Sequence, residues 1–152
     1  MRLPLMVLAI LLTAVLLTGT GGAPAVTFVG HQKVAAALGP KPPGAPSGVS
    51  LIKASDLLVM GGHRAENGKV ELHDKETDVF YVVDGDATFL TGGKMVGGKE
   101  VSPGQWLGTD MQGGQAHHLT KGDVIVIPAG IPHWFKEVPH SISYFVVKVL
   151  KP

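Results

Sequence analysis

The stretch that decides the fold is GDVIVIPAGIPH, residues 122–133. Its consecutive valine and isoleucine residues favour an extended strand, because β-branched side chains pack well on a pleated surface. Pro128 and Gly130 end that strand, since proline lacks the backbone N–H of a strand residue and glycine permits a tight turn. His133 then begins a second β-prone run. The stretch therefore predicts a strand, a proline-glycine turn and a histidine at the start of the next strand.

Similar strand signals extend over the chain from residue 55 onward. Short β-prone runs alternate with turn residues, a pattern typical of an antiparallel all-β sandwich or barrel. In a barrel, the turn before His133 can direct its imidazole into the barrel mouth. Asn67-Gly68 and Asp84-Gly85-Asp86 each predict a tight hairpin, and the glycine-rich residues 94–114 predict a loop over the barrel. The predicted strands cover residues 57–63, 69–73, 79–84, 87–91, 115–119, 124–127, 133–137 and 142–150.

Residues 26–54 have a different composition. His31–Leu38 is rich in alanine, valine and leucine and is followed by Gly39, which predicts a short helix with a glycine stop. Residues 39–48 are dense in proline and glycine and predict a linker or an extended arm. The expected organisation is a helix and an arm followed by one β-domain at 55–152.

The first 25 residues predict a secretory signal peptide. Arg2 supplies a positive charge, and residues 5–17 form an apolar run too short to span a bilayer comfortably. Ala23-Pro24-Ala25 offers small residues at the positions that a signal peptidase recognises. The alternative is a retained membrane anchor, which the short run disfavours. The mature protein is expected to begin near Val26, to be periplasmic or secreted, and to keep no stable membrane anchor.

Composition narrows the classes of function. The formal net charge is +1, and removing Arg2 with the signal peptide leaves zero, so a nucleic-acid partner is not expected. The chain contains no cysteine, which excludes disulfides, thiolate catalysis and cysteine-ligated metals. Any metal must therefore be bound by histidine and carboxylate. The sequence contains no phosphate-binding loop and no Gly-x-Ser-x-Gly elbow.

Two metal-capable side chains share a face of the predicted strand at 69–73. Because side chains alternate along a strand, Glu71 and His73 point to the same side. Asp78 lies a few residues further on, at the start of the next predicted strand. Carboxylate and imidazole groups both bind divalent metals, so this part of the chain is a candidate for a metal site.

Four residues are candidates for lining a pocket. Phe80 and Val82 share a face of their predicted strand and would wall an apolar interior. Trp134, next to His133, has a large amphipathic ring suited to a pocket wall. Arg64 would suit a carboxylate substrate through two parallel N–H bonds, with a surface position as the alternative.

These features resemble the cupin superfamily over roughly residues 55–149. The second cupin motif, G-x5-P-x-G-x2-H-x3-N, is matched by Gly122, Pro128, Gly130 and His133, with Glu137 in place of the usual asparagine.

The first cupin motif, G-x5-H-x-H-x3–4-E-x6-G, is matched in part. His73 takes the second histidine position, Asp78 the glutamate position and Gly85 the final glycine position. Glu71 stands where the first histidine would be, and Gly68 is out of register with the leading glycine. These departures bear on the metal and the reaction more than on the fold.

The resemblance implies a double-stranded β-helix, the jelly-roll barrel of small single-domain cupins, with one divalent metal near its mouth. The implied ligands are Glu71, His73, Asp78 and His133. Two carboxylates favour oxygen-binding ions over Cu(I), so Mn, Fe or Zn is expected. Such a protein would act on a small organic molecule as an oxygenase, isomerase or lyase, or would bind or sense one without catalysis.

Two of the implied ligands have structural alternatives. Asp78 can instead cap the turn before its strand by accepting backbone N–H bonds. Glu71 can instead face solvent in a salt bridge with Lys69 or Lys75. A metal-free cupin is therefore an alternative, because function depends on the site rather than on the fold.

The last predicted strand, residues 142–150, is apolar on both faces. A barrel wall facing solvent would be polar on one side, so its outer face must be covered. The segment at 26–55 can cover it through Phe28, Val34 and Leu38, and a second copy of the chain is the alternative. Because cupins generally pair through such faces, the resemblance favours a homodimer.

Overall fold

The computed structural model describes residues 26–151 as one helix and twelve strands. Helix α1 spans His31–Leu38. The strands are β1 (Gly48–Lys53), β2 (Leu57–Arg64), β3 (Val70–His73), β4 (Glu76–Thr91), β5 (Lys94–Val96), β6 (Lys99–Ser102), β7 (Gln105–Gly108), β8 (Asp110–Gln112), β9 (Gln115–Thr120), β10 (Val124–Ile127), β11 (His133–Glu137) and β12 (Ile142–Leu150). The signal peptide predicted at 1–25 lies outside the described residues. Within 26–151, no helix is long and apolar enough to cross a membrane.

Strand β4 is shared by two layers of sheet and joins them. Its first half lies between β12 and β10, in a layer ordered β1-β2-β12-β4-β10. Its second half lies between β9 and β11, in a layer ordered β9-β4-β11-β3-β7-β6. All of these pairs are antiparallel. The prediction of an all-β, antiparallel double-stranded β-helix with a short N-terminal helix is confirmed.

The prediction of a hairpin at Asp84-Gly85-Asp86 is wrong, because β4 continues through these residues as one strand of 16 residues. Gly85 has a φ of +81° and is paired with Ile142 of β12. A Cβ atom at this position would overlap the carbonyl oxygen of Ser141. Glycine is therefore needed here for a bend that carries β4 from one layer into the other.

The prediction of a hairpin at Asn67-Gly68 is also wrong, because the flanking strands β2 and β3 do not pair with each other. The Asn67 side-chain oxygen accepts a 2.9 Å hydrogen bond from the Val138 N–H. The Gly68 N–H donates a 2.8 Å bond to the Phe135 carbonyl. The turn therefore crosses between the layers and is held against the end of β11.

The loop predicted at 94–114 forms four short strands instead. Strands β6 and β7 extend the second layer beside β3, and β5 pairs with β8 in a small separate sheet. The glycines at positions 93, 97, 104 and 113 have positive φ and lie in turns before, between and after these strands. These turns need a left-handed backbone conformation, which glycine adopts without steric strain.

Aromatic rings dominate the core between the two layers. Phe80, Phe89, Phe135 and Tyr144 are buried, and neighbouring ring centroids lie 4.6 to 5.7 Å apart. Such tilted, edge-on and stacked contacts add to the stabilisation from burial. The His133 ring lies 6.0 Å from Phe89, at one end of this cluster. The core thus supports the end of the barrel that carries the predicted ligands.

The segment before residue 55 adds a strand and a helix to the first layer. Strand β1 pairs with β2 at the edge of the layer. Ala37 of α1 packs on Gly61 of β2, where a Cβ atom would collide with it. The Ser143 hydroxyl donates a 2.9 Å hydrogen bond to the Leu38 carbonyl. Helix α1 therefore covers the outer face near β2, whereas Phe28 is exposed.

Candidate functional site

The four predicted ligands lie together between the two layers, at one end of the barrel. Glu71 and His73 are on β3, and the Cα atom of His133 is paired with that of Glu71 in the same layer. Asp78 is on β4 in the facing layer. The His73, Asp78 and His133 residues are buried, whereas the Glu71 side chain is 36% exposed.

The proline-glycine turn that precedes β11 is fastened to the site. Gly130 has a φ of +81°, and its N–H donates a 2.8 Å hydrogen bond to the His73 carbonyl. The Ile131 carbonyl, next along the turn, lies 3.2 Å from Nδ1 of His133. The turn therefore fixes both the position of β11 and the orientation of the His133 ring.

The donor atoms of the four residues lie close together. Oδ2 of Asp78 lies 3.5 Å from Nε2 of His73 and 3.7 Å from Nε2 of His133. Oε2 of Glu71 lies 3.7 Å from Nε2 of His73, and donor atoms of Glu71, His73 and His133 all lie within 4.8 Å of one another. Donors that share a metal at about 2.1 Å are roughly 3 to 3.5 Å apart. Small side-chain movements would bring these groups to that separation.

Hydrogen bonds fix both imidazoles with Nε2 free. The Gln105 amide N–H donates to Glu76, so its oxygen faces His73 and accepts from Nδ1–H. The Ile131 carbonyl likewise accepts from Nδ1–H of His133. Both rings therefore carry an unprotonated Nε2 when neutral, and among the described residues neither buried Nε2 atom has a hydrogen-bond partner. Partners on the second ring nitrogen are what orient histidine ligands in metal sites.

Lys148 adds a cation to the site. Its ammonium group lies 2.9 Å from both carboxylate oxygens of Asp78 and 2.9 Å from Oε2 of Glu76. The Cα atoms of Lys148 and Asp78 are paired across β12 and β4. A buried carboxylate is costly without a compensating charge, and Lys148 supplies that charge.

The pKa shifts in the site agree with this arrangement. Burial raises the pKa of Asp78, but His73 and Lys148 outweigh it and hold the pKa below its ordinary value. Burial lowers the pKa of His133 below its ordinary value, despite the nearby carboxylates. Burial also lowers the pKa of His73, but contact with Asp78 outweighs it and the net shift is upward. Asp78 is therefore ionised and His133 neutral near pH 7.

The residues present fit a divalent metal ion. The two free Nε2 lone pairs face the Asp78 and Glu71 carboxylates, and mixed imidazole and carboxylate donors are the set that Mn, Fe and Zn accept. Lys148 competes for Asp78, because an ammonium group and a metal cannot both occupy the same carboxylate lone pairs. Glu71, His73 and His133 are therefore the ligands that do not compete with Lys148.

A cavity of about 300 Å³ adjoins the ligands. Arg64 and Phe80, two of the predicted pocket residues, are among its walls. The other two do not line it. Val82 is buried deeper in the core, and Trp134 alternates with His133 on β11 and donates from Nε1 to the Gly68 carbonyl.

Three residues that contact the candidate ligands were not among the predicted site residues. Lys148 shares the inward face of β12 with Val146, so alternation from Ile142 could have found it. Glu76 shares a face with Asp78 on β4, but the predicted strand began three residues later. Gln105 lies in the segment predicted as a loop, and no sequence signal identifies it.

Comparisons with known proteins agree with the fold. A family model described as Cupin matches residues 58–151. No curated protein matches the sequence.

Solved structures with a similar fold come from several bacteria. A Klebsiella pneumoniae protein with a double-stranded β-helix domain is 16% identical, with a TM-score of 0.55 over 84% of this chain and 91% of that chain. The protein TT1209 of Thermus thermophilus is 16% identical, with a TM-score of 0.56 over 82% and 98%. BH2720 of Bacillus halodurans is 12% identical, with a TM-score of 0.55 over 88% and 86%. These similarities establish the barrel.

Replacing Lys148 with methionine tests the ion pair. The change leaves Asp78 and Glu76 without a compensating charge, and breaking a buried pair in this way costs about 3–5 kcal/mol. We expect Lys148→Met to lower the free energy of unfolding of metal-stripped protein by that amount in urea denaturation. The control is Lys121→Met, which removes an exposed pair with Asp84 and should cost under about 1 kcal/mol. Equal losses in the two variants would contradict the assignment.

Proposed function

Because the chain belongs to the cupin family, we propose that its barrel binds one divalent metal ion and presents it to a small organic molecule in the adjoining cavity. The two buried Nε2 atoms of His73 and His133, which have no partner among the described residues and face two carboxylates, carry this proposal. A buried polar atom without a partner is costly, and a metal ion would satisfy both nitrogens at once.

Mn, Fe or Zn is the metal that we propose. The donors are nitrogen and carboxylate oxygen, and the chain contains no cysteine. Carboxylate ligands favour these ions over Cu(I), and imidazole ligands favour them over Ca²⁺ and Mg²⁺.

When bound, the metal would supply Lewis-acid polarisation of a substrate oxygen. If Glu71 is not itself bound to the metal, it is the carboxylate best placed to accept a proton from that substrate, because its side chain is partly exposed and its nearest cation, Arg64, is 3.9 Å away. Asp78 is a poor base, since Lys148 and His73 hold its pKa low. Gln105 and Ile131 would keep the two imidazoles oriented during turnover.

A non-catalytic, metal-free binding or sensing protein is the second candidate. Lys148 favours it, because the ammonium group already neutralises the buried Asp78 carboxylate without any metal. The barrel would then use only its cavity, and the two histidines would be structural. Metal content separates the two candidates.

We expect about one divalent metal ion per chain in mature protein purified without a His tag, as measured by elemental analysis. The double variant His73→Ala, His133→Ala should lose it, because two of the three ready ligands are removed. Metal binding should also weaken as the pH falls, since protons compete for both Nε2 lone pairs.

The matched control is His118→Ala, His140→Ala, which removes two exposed histidines and should keep the metal. Unchanged metal content in the His73, His133 variant would sink the metal proposal. A wild-type protein without metal after growth in Mn, Fe and Zn would favour the metal-free candidate.

We also propose that the protein is exported. The positive Arg2, the apolar run at 5–17 and the small residues at Ala23-Pro24-Ala25 support this. Amino-terminal sequencing of protein from the producing cell should begin near Val26. A mature form that begins at Met1 or Arg2 would refute export by cleavage.

Finally, we propose that the protein is a homodimer. Four apolar side chains of β4, β10 and β12, which we call the outer patch, are exposed on the first layer: Tyr81, Val124, Val126 and Val149. Val124 and Val126 are 62% and 55% exposed. Helix α1 packs mainly on β1, β2 and β12, whereas the two β10 valines stay exposed. A second copy would bury the outer patch through a two-fold interface.

Light scattering at micromolar concentration checks the dimer. We expect twice the chain mass for the mature protein and a shift to monomer for Val126→Lys, because a charge would enter the apolar interface. Val101→Lys, at an exposed valine on β6, should leave the mass unchanged. A wild-type mass of one chain at all concentrations would refute the dimer proposal.

A further inference from the structure

We propose that the cavity beside the metal ligands selects small molecules that carry a carboxylate, and that Arg64 binds this group. The inference deepens the proposed function, because it concerns the same cavity. It rests on Arg64 and its surroundings, so it stands or falls independently of the metal.

The two cations of the cavity differ in how fully their N–H donors are used. Lys148 has three donors and lies 2.9 Å from carboxylate oxygens of Asp78 and Glu76. Its charge is therefore neutralised within the protein. Arg64 has five donors, but among the described residues its side-chain hydrogen-bond partners are the Ser47 hydroxyl, 3.0 Å from Nη2, and the Tyr144 hydroxyl.

The nearest carboxylate does not satisfy Arg64. Oε1 of Glu71 lies 3.9 Å from its Nη2 atom, beyond hydrogen-bond distance. Within the described chain its Nε atom is buried without a partner. A guanidinium with a side chain only 15% exposed thus keeps unused N–H donors at the wall of a cavity. Such a group is matched by a carboxylate that accepts two parallel N–H bonds.

Arg64 is also held in place before any ligand arrives. Its guanidinium carbon lies 5.1 Å from the centre of the Phe135 ring, and Ser47 fixes one end of the fork. Gly68 leaves room for the guanidinium, since a Cβ atom there would lie 3.1 Å from Nη1. A pre-positioned group loses little side-chain entropy when it binds.

Tyr144 supplies a neutral hydroxyl in the same cavity. Burial raises the pKa of Tyr144 above its ordinary value, although the Arg64 charge opposes this. Gly62 permits the ring position, because a Cβ atom there would collide with the ring. Tyr144 therefore presents an O–H group beside Arg64 at neutral pH.

The rest of the cavity limits the size and character of the acid. Met60, Phe80 and Val146 line it with apolar atoms, and its volume is about 300 Å³. That volume is at the small end of ligand pockets. A carboxylic acid with a short apolar portion is the ligand that these walls fit.

Calorimetry with matched acids and amides tests the proposal. The probes are acetate, isobutyrate and benzoate, each compared with its amide, on metal-stripped and zinc-loaded mature protein. We expect at least one acid to bind about tenfold more tightly than its amide, because only the acid pairs with the guanidinium. Arg64→Gln should abolish this preference, and Arg64→Lys should reduce it several-fold, since an ammonium group cannot make two parallel bonds.

The control is Lys53→Gln, which removes an exposed cation at the end of β1 and should leave the preference intact. Arg64→Lys also keeps the charge if Arg64→Gln fails to fold. The proposal is overturned if no acid is preferred over its amide. It is also overturned if the preference needs zinc and survives in both Arg64 variants, a result that would leave the metal proposal standing. An Arg64-dependent preference in protein that binds no metal would support this inference and refute the proposal that the barrel binds a metal.

Discussion

The cross-strand pair of Asp78 and Lys148 is the interaction on which the site depends. A carboxylate buried between two sheets would be neutralised or expelled without a partner, because isolated buried charges are very costly. The paired positions on β4 and β12 place the ammonium group 2.9 Å from both carboxylate oxygens. This pair allows an ionised acid to face the imidazoles of His73 and His133 whether or not a metal is bound.

Two glycine-dependent bends bring the members of the site together from distant parts of the sequence. Gly85 lets β4 pass from one layer to the other, so Asp78 faces the layer that carries His73. Gly130 turns the chain into β11 and ties that turn to β3 through the His73 carbonyl. The backbone, held by the aromatic core beneath, therefore orients the ligands in advance. Pre-positioned ligands of this kind need little rearrangement to bind an ion.

The sequence predicted the fold class and which candidate ligands lie close together, because both depend on local patterns. Alternation placed Glu71 and His73 on one face, and the turn chemistry before His133 directed it inward. The connections between strands were predicted less well. A glycine with positive φ serves equally in a hairpin, as predicted at Gly85, and in a bend within a continuous strand. Lys148 and Gln105 act through partners about 70 and 30 residues away, and only the folded pairing of strands brings such groups together.

The charges of the site connect the metal with the ligand. Three carboxylates, on Glu71, Glu76 and Asp78, face two cations, on Arg64 and Lys148, so the site carries one excess negative charge when both imidazoles are neutral. A divalent ion converts this to one excess positive charge, which a single carboxylate on a ligand would cancel. Because Lys148 is already paired, the excess is available at Arg64 and at the metal. Metal and organic acid would then each strengthen the binding of the other. If one ligand raises the affinity for the second, the second raises the affinity for the first by the same factor.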